Sequence, residues 1–327
     1  MSYRVGVIGC TGIGTQHASG LVGLTDAELV AGCDLSSSVL ERFQEHWAEE
    51  WPDVATYTDH RQMLAEARLD IVTVATSDHK HADLVVDAAQ AGAKGIFCEK
   101  PMATSIADAD RMLSATDAND TILSIDHTRR WQPLWVETKQ QVEDGVIGKV
   151  QNIIGTLNGG RAMLFRNGTH LIDAICYFSQ GNPDWVFAQL ENGFESYAEY
   201  RGDGGHDPKT EPSAHGYIHF DNGVRGFYVG GSKQTPSGFG LEIVGTEGRI
   251  RINSQQSILV KEDKISSIEA PTWETVGIPA GIQELVGLMR KGGTPVSPGH
   301  EAYQVVKLSL GFYNLNSEVT FVLIFEP

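Results

Sequence analysis

Two patterns of apolar residues succeed each other along the chain, and the change comes near residue 127. In the first part, short continuous runs rich in β-branched residues (VGVI at 5–8, ELVAGC, IVTVA, GIFC, ILSI) alternate with stretches whose apolar residues recur every three or four positions. SSVLERFQEHWAEE, HADLVVDAAQAG and SIADADRMLSATD are of this second kind. Continuous apolar strands are those covered on both faces, and single helices between them imply right-handed crossovers, so this part predicts a parallel sheet. After His127 an amphipathic helix, WQPLWVETKQQVEDG, leads into the strand GKVQNIIGTLN and a second helix, GTHLIDAICYFSQG. Strand-like segments then crowd together (DWVFAQLEN, AHGYIHF, VRGFYVGG, GFGLEIVGT, GRIRIN, SILVKE), separated by turns of hairpin length such as DNG and GTEG. Two helical stretches, around GIQELVGLMRK and EAYQVVKLSLGFYN, and the apolar run VTFVLIFE close the chain. The expected fold class is α/β, with a parallel-sheet domain at 1–126 followed by an α+β domain at 127–327 built on a large, mostly antiparallel open sheet.

The first strand runs into GVIGCTGIG, with glycines at Gly9, Gly12 and Gly14 ahead of a helix-compatible stretch. Such a turn aims backbone N–H groups and a helix N-terminus at a pyrophosphate, and glycine is needed where backbone and ligand approach closely. In the usual GxGxxG spacing the second glycine would stand at position 11, where this chain has Thr11; Gly12 and Ile13 fill variable positions. A second strand ends at Asp34, about twenty residues beyond Gly14, the spacing at which a carboxylate accepts from both ribose hydroxyls. These features predict a Rossmann domain binding NAD. NADP is disfavoured, because Asp34 stands where a 2′-phosphate would sit and no Arg follows in LSSSV.

Composition narrows the partners. A length of 327 residues suffices for two domains with their own cores. The net charge of −17 argues against nucleic acid or an anionic membrane, since both need clustered Lys and Arg. The chain enters its first strand at once and no apolar run approaches a membrane span, so a cytoplasmic location is expected. Cys10, Cys33, Cys98 and Cys176 lie in apolar segments without CxxC spacing and read as small buried hydrophobes, with no metal site expected.

Residues 94–101, KGIFCEKP, bring a short apolar strand straight to Glu99, Lys100 and Pro101. A charged pair at a strand's carboxyl end lies where open α/β sheets bind ligands. Taken in order, GVIGCTGIG, Asp34, VATSDHKHAD, CEKP, GVIGKV, GTHLID and GLEIVGTEGRIRI resemble the Gfo/Idh/MocA oxidoreductases over essentially the whole chain. The resemblance implies a second domain whose open sheet often packs against a partner subunit, hence a homodimer or homotetramer. It also implies pyridine-nucleotide chemistry on sugars, polyols or related compounds.

By the same resemblance, Lys100 binds the reacting hydroxyl, Glu99 lies near the nicotinamide ribose, and His170 exchanges a proton with that hydroxyl. Asp173, three residues later on the same helix face, matches a polar residue near the substrate or the histidine. Thr76, Ser77 and His81 match a cofactor-lining segment, with Ser77 where proline is usual. Arg166 stands four residues before His170, where many members carry an aspartate. Its guanidinium either pairs with an acid of the scaffold or selects a substrate bearing carboxylate or phosphate. Arg129, Arg130 and Trp131 follow a strand end and are open to a substrate-facing or a salt-bridged role.

Oxidising a secondary alcohol takes a proton from oxygen and a hydride from carbon, so a base within hydrogen-bond reach is required. The expected function is an NAD-dependent dehydrogenase acting on a secondary hydroxyl of a sugar, polyol or sugar-acid. Two other readings share the fold: a glycosidase that uses tightly held NAD for transient oxidation and elimination, and a non-catalytic dinucleotide-binding sensor. Retention of both Lys100 and His170 counts against the sensor. The polar stretch RGDGGHDPKTEP at 201–212 is expected to be a mobile loop, with a lid role open.

Overall fold

The computed structural model of the chain describes residues 2–194, 197, 200, 209–231, 233–314 and 322–323. In its first part β1 (Tyr3–Ile8), β2 (Ala27–Cys33), β3 (Ala55–Tyr57), β4 (Ile71–Val74), β5 (Gly95–Cys98) and β6 (Ile122–Ile125) form one sheet in the order β3-β2-β1-β4-β5-β6. Every pair is parallel. The helices between the strands are α1 (Gly12–Ser19), α2 (Ser37–Trp47), α3 (His60–Glu66), α4 (His81–Gln90) and α5 (Ile106–Ala118). Val5, Val7, Ile71, Val72, Val74, Ile96, Phe97 and Cys98 are all fully buried, as continuous apolar strands must be when helices cover both faces. Strand order reverses between β1 and β4, so the crevice for a ligand opens at the carboxyl ends of those two strands.

The second part begins with α6 (Pro133–Glu143), β7 (Val150–Asn158) and α7 (Gly168–Ser179). It continues through β8 (Pro183–Leu190), β9 (Ala214–Phe220), β10 (Arg225–Gly230), β11 (Gly238–Gly245), β12 (Arg249–Asn253), β13 (Ser257–Lys261) and β14 (Lys264–Ser267). α7 packs on one face of this sheet, so closely that a Cβ on Gly155 or Gly226 would lie 3.0 or 2.8 Å from Ile175. The opposite face carries a lateral row, Phe187, Tyr217 and Phe227, on paired positions of β8, β9 and β10. β14 was not legible as a strand, because all four of its residues are exposed and show no apolar alternation.

After β14 the chain forms α8 (Ile278–Lys291), α9 (Gly299–Asn314) and β15 (Val322–Leu323). β15 completes a nine-stranded sheet in the order β14-β13-β12-β11-β7-β10-β9-β8-β15, antiparallel except for β7 against β10. The two compact units are Met1–Trp131 with Glu274–Ala302, and Gln132–Trp273 with Tyr303–Pro327. They differ from a simple division at 126/127, because α8 lays Ile278, Ile282, Leu285 and Val286 into the core of the first sheet beside Val5, Val7, Leu29 and Phe97. Arg130 and Trp131 hold this returning segment. Arg130 donates to Val296 O (2.7 Å) and pairs with Glu301, and Trp131 Nε1 donates to Glu284 (2.8 Å).

No helix among the described residues is long and apolar enough to cross a membrane. Residues 201–208 of the expected mobile loop lie outside the described residues. Its end does not, and Glu211 there is 3% exposed.

Candidate active site

Beyond β1, Gly9 turns at φ +89 while its N–H donates to Cys33 O (2.8 Å). A Cβ on Gly9 would run into the Ala75 carbonyl, and one on Gly14 into the Gly9 carbonyl, so both positions demand glycine. Gly14 N–H donates to Thr11 O (2.6 Å) as α1 opens, with Thr11 at its N-cap. Gly12, at φ +25, has nothing within 4 Å of its missing Cβ, and Ile13 beside it is 40% exposed. The helix start therefore presents backbone N–H groups to open space, a cradle that fits a pyrophosphate.

Asp34 follows β2, its N–H bonded to Tyr57 O (3.1 Å). Its carboxylate accepts from Cys10 N–H and from Ser36 N–H, each at 3.0 Å. A carboxylate has about four lone-pair sites, so this one is oriented beside the Gly-rich turn with acceptor capacity left for two ribose hydroxyls.

At the end of β4, Thr76 adjoins the turn, its Cγ2 3.1 Å from where a Gly9 Cβ would be. Ser77 is extended (φ −68, ψ 139), the conformation that the usual proline would impose. His81 is wholly buried, with Nδ1 2.9 Å from Pro101 O and Nε2 3.2 Å from Thr76 O. Burial lowers its pKa against the opposing pull of Asp78, and a neutral imidazole carries one N–H, so it donates to one of these carbonyls at a time. His81 thus ties the Thr76 loop to Pro101. Glu99 N–H donates to Val74 O (2.9 Å), extending the ladder one residue past β5 and setting Lys100 at its carboxyl end, before a cis Pro101.

Two residues that sequence reasoning missed gather around Glu99. His17 of α1 places Nε2 3.4 Å from Glu99 Oε1, and the Glu99 and Asp126 carboxyls lie against each other. One donor atom from each of the three lies within 4.8 Å of the others. The only sequence signal was the position of each residue, one turn past the glycines for His17 and directly after a strand for Asp126.

The second unit presents the remaining candidates on α7 and the loop before it. His170 is half-buried in the first turn of α7, and Asp173, one turn on, is 2% exposed. The loop that carries Arg166 is braced by the buried carboxylate of Glu211, which accepts from the N–H groups of Phe165 and Arg166, while Leu164 N–H donates to Pro212 O (2.8 Å). Arg161 lies near enough for its charge and that of Arg166 to oppose each other; burial and this neighbour both lower the Arg161 pKa. Glu211 and Arg161 escaped sequence reasoning, the first because it falls in a stretch that reads as loop.

Residues 3–127 match the profile of an oxidoreductase family with an NAD-binding Rossmann fold, and residues 135–251 match the GFO/IDH/MocA C-terminal domain. The chain belongs to the Gfo/Idh/MocA oxidoreductases. Among the curated relatives, myo-inositol 2-dehydrogenase of Thermotoga maritima is 37% identical over 146 residues, 45% of this chain and 42% of that one. The chain thus spans less than half the length of this relative. scyllo-Inositol 2-dehydrogenase (NAD(+)) of Bacillus subtilis is 27% identical over 96% of this chain and 93% of its own. An Agrobacterium radiobacter oxidoreductase, solved in complex with NAD+, L-tartaric acid and magnesium, superposes with a TM-score of 0.83 at 19% identity over 99% of each chain. That likeness shows that the two chains share a fold.

Proposed function

We propose that this chain is an NAD-dependent dehydrogenase acting on a secondary hydroxyl of a sugar, polyol or sugar-acid. The observation that carries the reading is the Asp34 carboxylate, held by two backbone N–H groups beside a turn that only glycine can make. Nicotinamide, when bound, supplies the acceptor for the substrate's hydride. In this reading Asp34 accepts from the adenosine ribose and the α1 start binds the pyrophosphate. Lys100 holds the reacting oxygen and stabilises its developing negative charge, and His170 takes the proton. Arg166 either pairs with an acid of the scaffold or selects a substrate bearing carboxylate or phosphate, and the panel below separates the two. We also infer a homo-oligomer formed through the sheet face that carries Phe187, Tyr217 and Phe227, which sedimentation would report as a mass above that of one chain.

The test is a panel of matched neutral and acidic sugars and polyols, assayed for NAD reduction with the wild type and three variants. Lys100→Ala and His170→Ala should each lower turnover by roughly 10²-fold or more with NAD affinity little changed. Arg166→Ala should lose acidic substrates more than neutral ones if Arg166 selects the substrate, and both equally if it pairs with the scaffold. Near-normal turnover in Lys100→Ala on the preferred substrate sinks the reading.

A further inference from the structure

Glu99, Asp126 and His17 meet at the carboxyl end of the first sheet, where β5, β6 and α1 converge. His17 is 0% and Asp126 1% exposed, and the Glu99 side chain is 12% exposed. An oxygen of each carboxyl lies within 4.8 Å of the other in this buried setting. Inside a protein, like charges at that separation cannot both ionise.

The contacts decide which oxygen keeps the proton. Glu99 adjoins Lys100, lies near its side-chain charge, and is within reach of His17 Nε2 (3.4 Å). Asp126 faces Glu99 and His17 and accepts from Thr128 Oγ1 (3.0 Å). Asp78 adds negative charge from the segment after β4, and the charges of Glu99, Asp78 and Asp126 all raise the pKa of the buried Cys98 thiol. The neighbouring cation and the greater exposure of its side chain thus favour an ionised Glu99. Burial raises the pKa of both acids, and Glu99 raises that of Asp126 further, while burial brings His17 down to about 4 and leaves it neutral. A neutral His17 whose Nε2–H points at Glu99 adds a donor to that carboxylate. His17 is held there edge-on against Phe97 (5.2 Å).

We propose that Asp126 and Glu99 share one proton, donated by Asp126 to an ionised Glu99, and that Asp126 and His17 are the positioning residues that fix the Glu99 carboxylate beside Lys100. The positioning role rests on the dehydrogenase reading; the shared proton does not.

An acid protonated in the fold and ionised in the unfolded chain makes the folded state the better proton binder. Wild-type stability from this pair is therefore greatest at low pH and falls as pH rises from the ordinary carboxylate value, about 4, toward the raised folded value. Asp126→Asn lacks this dependence. Its melting temperature should gain on the wild type by roughly 5 °C between pH 5 and pH 8. A difference that does not change with pH overturns the shared proton. Infrared spectra of the wild type at pH 7 should contain a protonated-carboxyl carbonyl band that shifts in D2O, and its absence overturns the proposal whether or not any variant folds. For positioning, Asp126→Asn retains a donor to Glu99 and should keep KM for NAD within about threefold, whereas Asp126→Ala should raise it about tenfold. Equal values in the two variants overturn the positioning role. If no substrate is oxidised but the pH and infrared signatures hold, the dehydrogenase reading fails and the shared proton stands.

Discussion

Replacing Asp34 by alanine removes one carboxylate with two distinct jobs, and the structure separates their magnitudes. Within the fold, the N–H groups of Cys10 and Ser36, both partly buried, each lose an acceptor at 3.0 Å. At about 1 kcal/mol for each lost bond, the variant should be about 2 kcal/mol less stable, a fall of roughly 5 °C in melting temperature for a unit of this size. Toward cofactor, the carboxylate's remaining lone pairs offer two charge-assisted hydrogen bonds to ribose hydroxyls. Their loss should weaken NAD binding by about 3 kcal/mol, or roughly 10²-fold. NADP moves the other way. A unit charge about 4 Å from a 2′-phosphate is opposed by about 4 kcal/mol at the effective dielectric of a partly exposed site, and about half of that survives in physiological salt. The preference for NAD over NADP should therefore shrink by at least ~10²-fold. Calorimetric titration of both cofactors into both proteins measures the ratio, and melting without cofactor measures the structural part. An unchanged ratio, or a wild type that binds NADP as tightly as NAD, would refute the argument whatever the melting temperatures do.

Gly14→Ala should lower NAD affinity by at least ~10²-fold, because its Cβ would occupy the position of the Gly9 carbonyl and the turn would have to move; affinity within threefold in a titration would contradict this. The cysteines should divide by burial. Burial is the largest effect raising the thiol pKa of Cys10 and Cys98, and it pushes Cys33 up to about 12, whereas Cys176 is half-buried. Alkylation of the native protein near pH 8, followed by peptide mapping, should label Cys176 first and the others only on unfolding. Labelling of Cys10 at the rate of Cys176 would count against the burial account.

The parts of this protein legible from residues alone are those written within one crossover of chain. Continuous runs such as Ile71–Val74 announce burial on both faces, and the Gly9 to Gly14 spacing followed by Asp34 places a turn and a carboxylate together because a strand, a turn and a helix are local. The same locality explains why Lys100 could be located at a strand's carboxyl end. Periodicity tells that a face is buried but not what buries it. α8 reads as an amphipathic helix, and only the folded chain assigns Ile282 and Leu285 to the first unit's core. Glu211, 46 residues from Phe165, belongs to a stretch whose composition reads as loop, yet its carboxylate braces the loop before His170. His17 and Glu99 are 82 residues apart, and Asp126 comes from a third crossover. Whether such an acid is ionised depends on burial and on which donors reach it. Both are properties of side chains brought together from distant segments, so the sequence determined the carboxyl groups and the tertiary structure alone decided their protonation.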